Sequence, residues 1–409
     1  MSILTSKYWK IPVFAQKFMG VWPYDDNLYD KVMRFVVCFS ICALIVPLGA
    51  RLLEEIGHDI RIVIENLVGE MYASGGFLKF TMQIQKRHMQ KEIYEMISRD
   101  YGTANDKEEL AIMREHSEIG RVKAIAYTMC CCSTAAIFIS IPVFYPLLDY
   151  ISPLENASRP REFPIYAEYF INLDNHYHPL LLLMAVTGTL SMIVFVTYDV
   201  AFAMCVQHVS SLFDVIGLRL RRASAYASDP SIDQVDAEKK VYFSLLKAIE
   251  LHQTVIKNVD YLERTYFLSW LAVSLLNVTG IGGGLLVVMM NLHSTRDLIR
   301  YGIFFTTIFI HMYFIFLPGQ NIIDGGLKVF DACYETDWYR FSSRSQVLIK
   351  IMMVRSIRPL YLTGGKLFPM SMETYAKVSQ GIMKALPLHL QGFIIVPRMT
   401  TTQMLSANA

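Results

Sequence analysis

Ionisable side chains inside long apolar stretches are where this sequence could concentrate chemistry. Glu65, Glu70 and Lys79 share one such stretch, and charge held in hydrocarbon is costly enough that each must face a cavity or another helix. A period of 3.6 sets Glu65 and Tyr72 on one stripe, so a water-filled vestibule and a structural ion pair both fit. His176 and His178 could ligate a metal with Asp174, but the segment reads more simply as a solvated loop. The run from Gly280 through Gly282 and Gly283 to Gly284 looks like a phosphate loop. No Lys-Ser/Thr step follows it, and within an apolar run glycines serve close helix packing. The sequence has no HExxH, GxSxG, GxxxxGK(S/T) or paired CxxC pattern, so no enzyme is expected and no cofactor or metal is assigned.

The elements that must position these groups follow from composition. Of 409 residues, 53% are hydrophobic and 18% charged, with a mean hydropathy of +0.34. Soluble chains run nearer a quarter charged. The apolar excess lies in long runs, which makes the chain an all-α polytopic membrane protein surrounded by lipid. A net charge of +2 argues against a nucleic-acid partner. Six of the seven cysteines (Cys38, Cys42, Cys130, Cys131, Cys132 and Cys205) fall in apolar runs and Cys333 in a basic segment, so no disulfide is expected. The first apolar run begins near Phe35, too late for a cleavable signal peptide.

Six stretches are long enough to span about 30 Å of hydrocarbon: 32–50, 60–83, 124–148, 180–206, 267–290 and 298–317. A seventh, 370–397, is interrupted by Lys377, Lys384, Pro387 and His389. Between these stretches, twenty-eight Lys and Arg fall on one side, and four, or six with Arg61 and Arg300, on the other. The positive-inside rule therefore predicts a cytoplasmic N-terminus, inverted relative to a G-protein-coupled receptor. The sequon at Asn156 would then lie outside, and that at Asn277, within the fifth stretch, is expected to be unmodified. The inner loops carry apolar residues at helical spacing (Ile93, Met96 and Ile97; Val209, Leu212, Phe213, Ile216 and Leu220), which predicts helices continuing past the bilayer. The polar stretch 223–236 reads as a turn between two of them.

Large, soft side chains gather in the outer halves of these stretches. They include Met71 and Tyr72, then Phe138, Ile139, Phe144 and Tyr145, then Met184, Thr187 and Ser191, and finally Met289, Tyr301, Phe304 and Phe305. Aromatics with a few hydroxyls suit a small, volatile, mostly apolar ligand. Ordinary core filling and interfacial belts fit the same residues.

Beyond the sixth stretch the chain reads Ala332-Cys333-Tyr334, then Trp338-Tyr339, Arg355, Pro359-Leu360, Gly364-Gly365-Lys366 and Pro369-Met370-Ser371. This order of motifs resembles the insect odorant receptor family. Arg161-Glu162-Phe163-Pro164 with Tyr169-Phe170 is similar to the family's third-loop pattern, and His208 and His252 match family positions. The resemblance implies a tuning subunit, not the coreceptor, of an odorant-gated non-selective cation channel. Such a subunit sits in the plasma membrane of olfactory neuron dendrites and assembles as a heterotetramer with an obligate coreceptor subunit, with no G protein required. It also implies ligand binding within 1–317, a cytoplasmic anchor over 318–369, and a seventh, pore-lining helix within 370–409. Tyr334, Trp338, Tyr339, Arg355, Pro359 and Lys366 would then serve assembly.

From about Ser379 the chain departs from the family pattern. Pro387 costs roughly 3 kcal/mol in a helix interior, and Lys384 at mid-bilayer about 2.5–3.5 kcal/mol. An alternative exon or retained intron would explain this, and the product would be a non-conducting variant. A gustatory-type chemoreceptor is an alternative, since Thr374-Tyr375 opens like that family's closing motif, but Lys377 interrupts the run before Gln380. A G-protein-coupled receptor needs the opposite topology. A transporter would be expected to carry inverted repeats, and none is seen.

Overall fold

The computed structural model describes residues 3–104, 106–151, 163, 167–171, 175–290 and 295–395; side chains at 61, 141, 143–150, 295–301, 383 and 385–395 lie outside the described set. Helices dominate throughout. They are α1 (Lys10–Phe18), α2 (Leu28–Glu55), α3 (Ile60–Gln85), α4 (Arg87–Thr103), α5 (Lys107–Ile151), α6 (Tyr177–Ser228), α7 (Gln234–Met290), α8 (Thr295–Tyr334), α9 (Ser343–Ser356) and α10 (Met372–Ile395). Each of the seven stretches read from the sequence falls on one helix: α2, α3, α5, α6, α7, α8 and α10. By length and composition, α2, α6, α7 and the segments Lys107–Ser140 and Gly302–Tyr334 can cross a membrane. The helix α3, which carries the charges Glu65, Glu70 and Lys79, packs along α2 and α7.

The helices outrun the bilayer. At 1.5 Å per residue α6 and α7 are about 80 and 85 Å long, more than twice the hydrocarbon thickness. Their far ends join α4, α5, α8 and α9 in an anchor layer. Of the residues with helical spacing, Ile93, Ile97, Val209, Leu212, Phe213, Ile216 and Leu220 are buried there in one core, and Met96 packs half-buried against it. The turn expected over 223–236 is shorter: α6 runs on to Ser228, and Asp229 closes the turn by accepting from the Ser231 amide at 2.9 Å. Polar pairs bind the layer, with Arg219 forked onto Glu109 at 2.7 and 2.8 Å, and His208 Nε2 2.9 Å from Asp100 Oδ2.

One buried imidazole gives this layer a pH dependence. Burial, reinforced by the Arg355 charge, pushes His252 down from its ordinary 6.5 to about 4. The unfolded chain takes up this proton more readily than the folded one. Stability is therefore full above about pH 6.5 and is lost as pH falls toward 4. A shift of that size is worth about 3 kcal/mol. His252→Gln is expected to flatten the fall in melting temperature on acidification, measured by thermal unfolding of the detergent-solubilised protein at several pH values.

Between α9 and α10 the chain makes a small antiparallel hairpin, Thr363–Gly364 (β1) against Phe368–Pro369 (β2). Gly365 and Lys366 both have φ of about +61° in its turn. A side chain at 365 would also strike Leu271, since its Cβ would lie 2.4 Å from Leu271 Cδ2. The hairpin is fastened to α7 by the Gly365 amide donating to the Phe267 carbonyl at 2.8 Å and the Thr363 amide donating to Glu263 at 2.7 Å. The step into α10 crosses α8 at Gly319, where an added Cβ would sit 1.9 Å from the Met370 carbonyl oxygen. That atom is backbone and cannot swing away. Gly319→Ala is expected to cost at least about 2 kcal/mol, read as a lowered melting temperature.

α10 continues through Pro387 to Ile395, so the proline does not end the helix where its local cost suggested. Pro47 in α2 and Pro318 in α8 are accommodated in the same way.

Candidate functional site

Small residues facing one another across four helices leave a space that large side chains then line. Gly69 and Gly75 of α3, Ala135 of α5, Ala185 and Gly188 of α6 and Gly280 of α7 all border a cavity of about 250 Å³. Met71, Tyr72, Phe138, Met184, Met192 and Phe195 supply most of its bulk. Tyr72 lies flat on Phe195, their centroids 4.9 Å apart. Toward the α5–α6 connection the cavity is closed by Leu44 of α2 with Ala167 and Tyr169. That connecting segment is tied down by the Glu168 amide donating to the Pro47 carbonyl at 3.0 Å, and Ala167 packs with Leu44, Leu48, Ala73 and Met184.

The opposite end, toward the anchor, is floored by Phe195, Tyr127 and His311. Directly beneath these rings sits a buried ion pair. Lys79 Nζ is 2.6 and 2.8 Å from the two carboxylate oxygens of Asp199, and both side chains are fully buried. The Tyr127 hydroxyl donates to Asp199 Oδ2 at 2.7 Å, and His311 Nε2 lies 3.1 Å from that same oxygen and 3.0 Å from Lys79 Nζ. The ammonium also sits 4.4 Å from the centre of the Phe195 ring. Four helices, α3, α5, α6 and α8, meet in this one polar knot. Its formal charges cancel, so the floor is polar without being charged overall. Above it, the Thr134 and Thr307 hydroxyls, 3.0 Å apart, join α5 to α8.

The structure brings together Met71, Tyr72, Phe138 and Met184 of the residues singled out for a ligand, with Ile139 and Phe304 beside them. Thr187 is not among the lining residues. It is buried, and its hydroxyl donates back to the Leu183 and Met184 carbonyls at 2.9 and 3.3 Å. The side chains of Phe144, Tyr145 and Tyr301, like Asn156 and Asp174, lie outside the described residues. Among the described residues no three His, Cys, Asp or Glu side chains gather as a metal site. The glycine run divides: Gly283 and Gly284 pack closely against Val68 and Phe305, whereas Gly280 opens onto the cavity.

The residues expected to serve assembly are not among those lining the cavity. Tyr334 and Tyr339 are 70% and 61% exposed. Trp338 packs on the anchor core and lies 5.7 Å from Lys350 Nζ. Arg355 donates to the Arg358 carbonyl at 3.3 Å, Pro359 follows half-buried, and Lys366 reaches over the Phe267 ring.

Sequence reasoning missed Asp199, His311 and Tyr127, the partners of Lys79. Their signal was present, since Asp199 and His311 are lone ionisable residues in otherwise apolar stretches, and opposite charges inside a membrane seek one another. Tyr169 was read only as part of a loop pattern, and Asn277 only as part of a sequon.

The family described as 7tm Odorant receptor matches residues 63–383. The chain belongs to that family. Odorant receptor 67c of Drosophila melanogaster is 24% identical over 187 residues, which is 46% of this receptor and 44% of that relative. The alignment thus spans under half of the relative's length. Two solved structures of the olfactory receptor OR5 from Machilis hrabei share the fold at 12% identity. The complex with eugenol superposes with a TM-score of 0.76 over 94% of this receptor and 97% of that chain. The structure without eugenol superposes with a TM-score of 0.71, covering 94% and 98%. The receptor is therefore an all-α, multi-pass membrane protein of the insect odorant receptor kind. The family match ends close to the point at which the sequence leaves the family pattern.

Proposed function

We propose that the receptor is the ligand-binding subunit of an odorant-gated non-selective cation channel, with the cavity between α3, α5, α6, α7 and α8 holding a small, volatile, mostly apolar molecule. The observation that carries this reading is the cavity itself: about 250 Å³ between helices, walled by methionine and aromatic side chains above a charge-balanced floor. A complex with eugenol has been solved for a receptor of the same fold. In this proposal Met71, Tyr72, Phe138 and Met184 contact the ligand. The exposed Tyr334 and Tyr339, with Trp338, Arg355, Pro359 and Lys366, meet a coreceptor subunit across the anchor. The excess of Lys and Arg on one side supports a cytoplasmic N-terminus by the positive-inside rule, and the family points to an olfactory neuron.

Expression with a coreceptor subunit and an odorant panel tests this. Ligand should evoke a fast cation current that is indifferent to G-protein inhibition and absent without the coreceptor. A current that persists without the coreceptor, or an N-terminal epitope stained on intact cells, would count against the subunit and its orientation respectively.

A second reading, a subunit that binds ligand but does not conduct, is favoured by Lys377 and Lys384, both exposed on α10. Exchanging 379–409 for a family-typical last helix should raise the current if this is so. Equal currents would end it.

A further inference from the structure

Most polar groups on the cavity wall are spoken for by the protein. The hydroxyls of Tyr127, Thr134 and Thr307 bond to Asp199, to the Cys130 carbonyl and to the Ile303 carbonyl, and His311 is held in the buried knot. Among the described residues, two lining groups present a buried atom with no hydrogen-bond partner: the Asn277 side-chain nitrogen on α7 and the Tyr169 hydroxyl in the segment closing the cavity. Both are donors. An unpaired buried donor carries a penalty of about 1–3 kcal/mol, which an acceptor from outside the protein removes.

The setting of Asn277 narrows what that acceptor is. Val273, Leu276 and Gly280 line the cavity from the same helix, and none has a polar side-chain atom. A water needs two to four polar partners to be well held, so an oxygen borne by an apolar body suits this wall better. Thr279, the other polar residue of the sequon, turns away; it is exposed and its hydroxyl bonds back to the Leu275 carbonyl at 2.8 Å. The floor adds a restriction on charge. Asp199 is already matched by Lys79, so a cationic amine finds no free carboxylate there, and an anion would have to shed its water for a neutral site.

We propose that Asn277 is a specificity-determining residue that selects neutral ligands carrying an acceptor oxygen, a ketone or ester carbonyl on an apolar chain, with Tyr169 as a second donor. The inference rests on the ligand-binding reading of the cavity. A site that hydrogen-bonds its ligand rejects an analogue lacking the acceptor, because its own donor is then left buried and unpaired.

The test uses the purified full-length receptor and two probe series, straight-chain methyl ketones and the alkenes in which a methylidene group replaces the carbonyl oxygen. Thermal stabilisation against ligand concentration gives a midpoint for each. In the wild type the ketones should act at about tenfold lower concentration than their matched alkenes. Asn277→Leu, which keeps the branching of the side chain without its donor, should bring the two series together by weakening the ketones more than the alkenes. Equal ketone and alkene midpoints in the wild type, or a preference surviving in Asn277→Leu, would overturn the inference while leaving the binding reading intact. A preference lost in Tyr169→Phe but kept in Asn277→Leu overturns it too, moving the donor to Tyr169. Stabilisation by neither series would instead remove the ligand-binding reading of the cavity, and the inference with it.

Discussion

Lys79→Met is expected to destabilise the receptor by about 3–5 kcal/mol, because it leaves the Asp199 carboxylate buried without its counter-charge. Asp199→Leu should be comparably damaging, stranding the ammonium in a box of Phe195, Tyr198 and Trp270 rings. The double variant Lys79→Met/Asp199→Leu should recover a large part of the loss, since an apolar pair of similar volume pays no desolvation penalty. Recovery will be incomplete, because Tyr127 and His311 both bond to Asp199 and are left facing methyl groups. Melting temperatures of the four proteins form a double-mutant cycle. Additive losses would show that the two charges act separately and that the buried pair has no special role in holding α3 against α6.

Gly280→Leu should act in the opposite manner, sparing the fold and removing the ligand. Gly280 is buried on the cavity wall, and a Cβ there would meet only Ile308 Cδ1, at an ordinary 3.9 Å. A leucine side chain has room to enter, and it enters the space a ligand needs. Replacing a mid-helix glycine also gains up to about 1 kcal/mol of helix propensity. Melting temperature without ligand should stay level or rise, while the ligand midpoint rises by at least about tenfold, the effect of one misplaced methylene or more. Unchanged ligand sensitivity would mean that the cavity beside α7 is not where the ligand sits. The neighbouring Gly283 and Gly284 make a control, because Cβ atoms there meet Val68 and Phe305 at 3.0 and 3.2 Å and should cost stability instead.

Hydropathy alone located the helices because the bilayer permits little else. A run of some twenty apolar residues must satisfy its own backbone bonds, and in these seven stretches it does so as a helix. The continuation of α6 beyond the membrane was legible from the spacing of Val209, Leu212, Phe213, Ile216 and Leu220. Part of the cavity was legible for a simpler reason, that Met71, Tyr72, Phe138 and Met184 are large residues at matching depths in neighbouring helices. Thr187 was not distinguishable from them, because depth says nothing of azimuth and a threonine within a helix can satisfy itself on its own turn. The small residues that make the space were illegible too. A cavity is a property of what faces what, and Gly188, Ala135 and Gly280 look like packing residues until their opposite numbers are known. The knot around Asp199 joins positions 79, 127, 199 and 311, and no local pattern carries a pairing over such separations.

The helix α6 has a mechanical consequence. Between Gly188, on the cavity wall, and Gly217, in the anchor, it contains neither glycine nor proline, the residues at which helices ordinarily bend. Phe195 and Asp214 therefore ride on one stiff rod about 28 Å apart. A rotation of that rod at the cavity would reach its far end undamped, past Asp199, where the pairing with Lys79 at 2.6 Å ties it to α3.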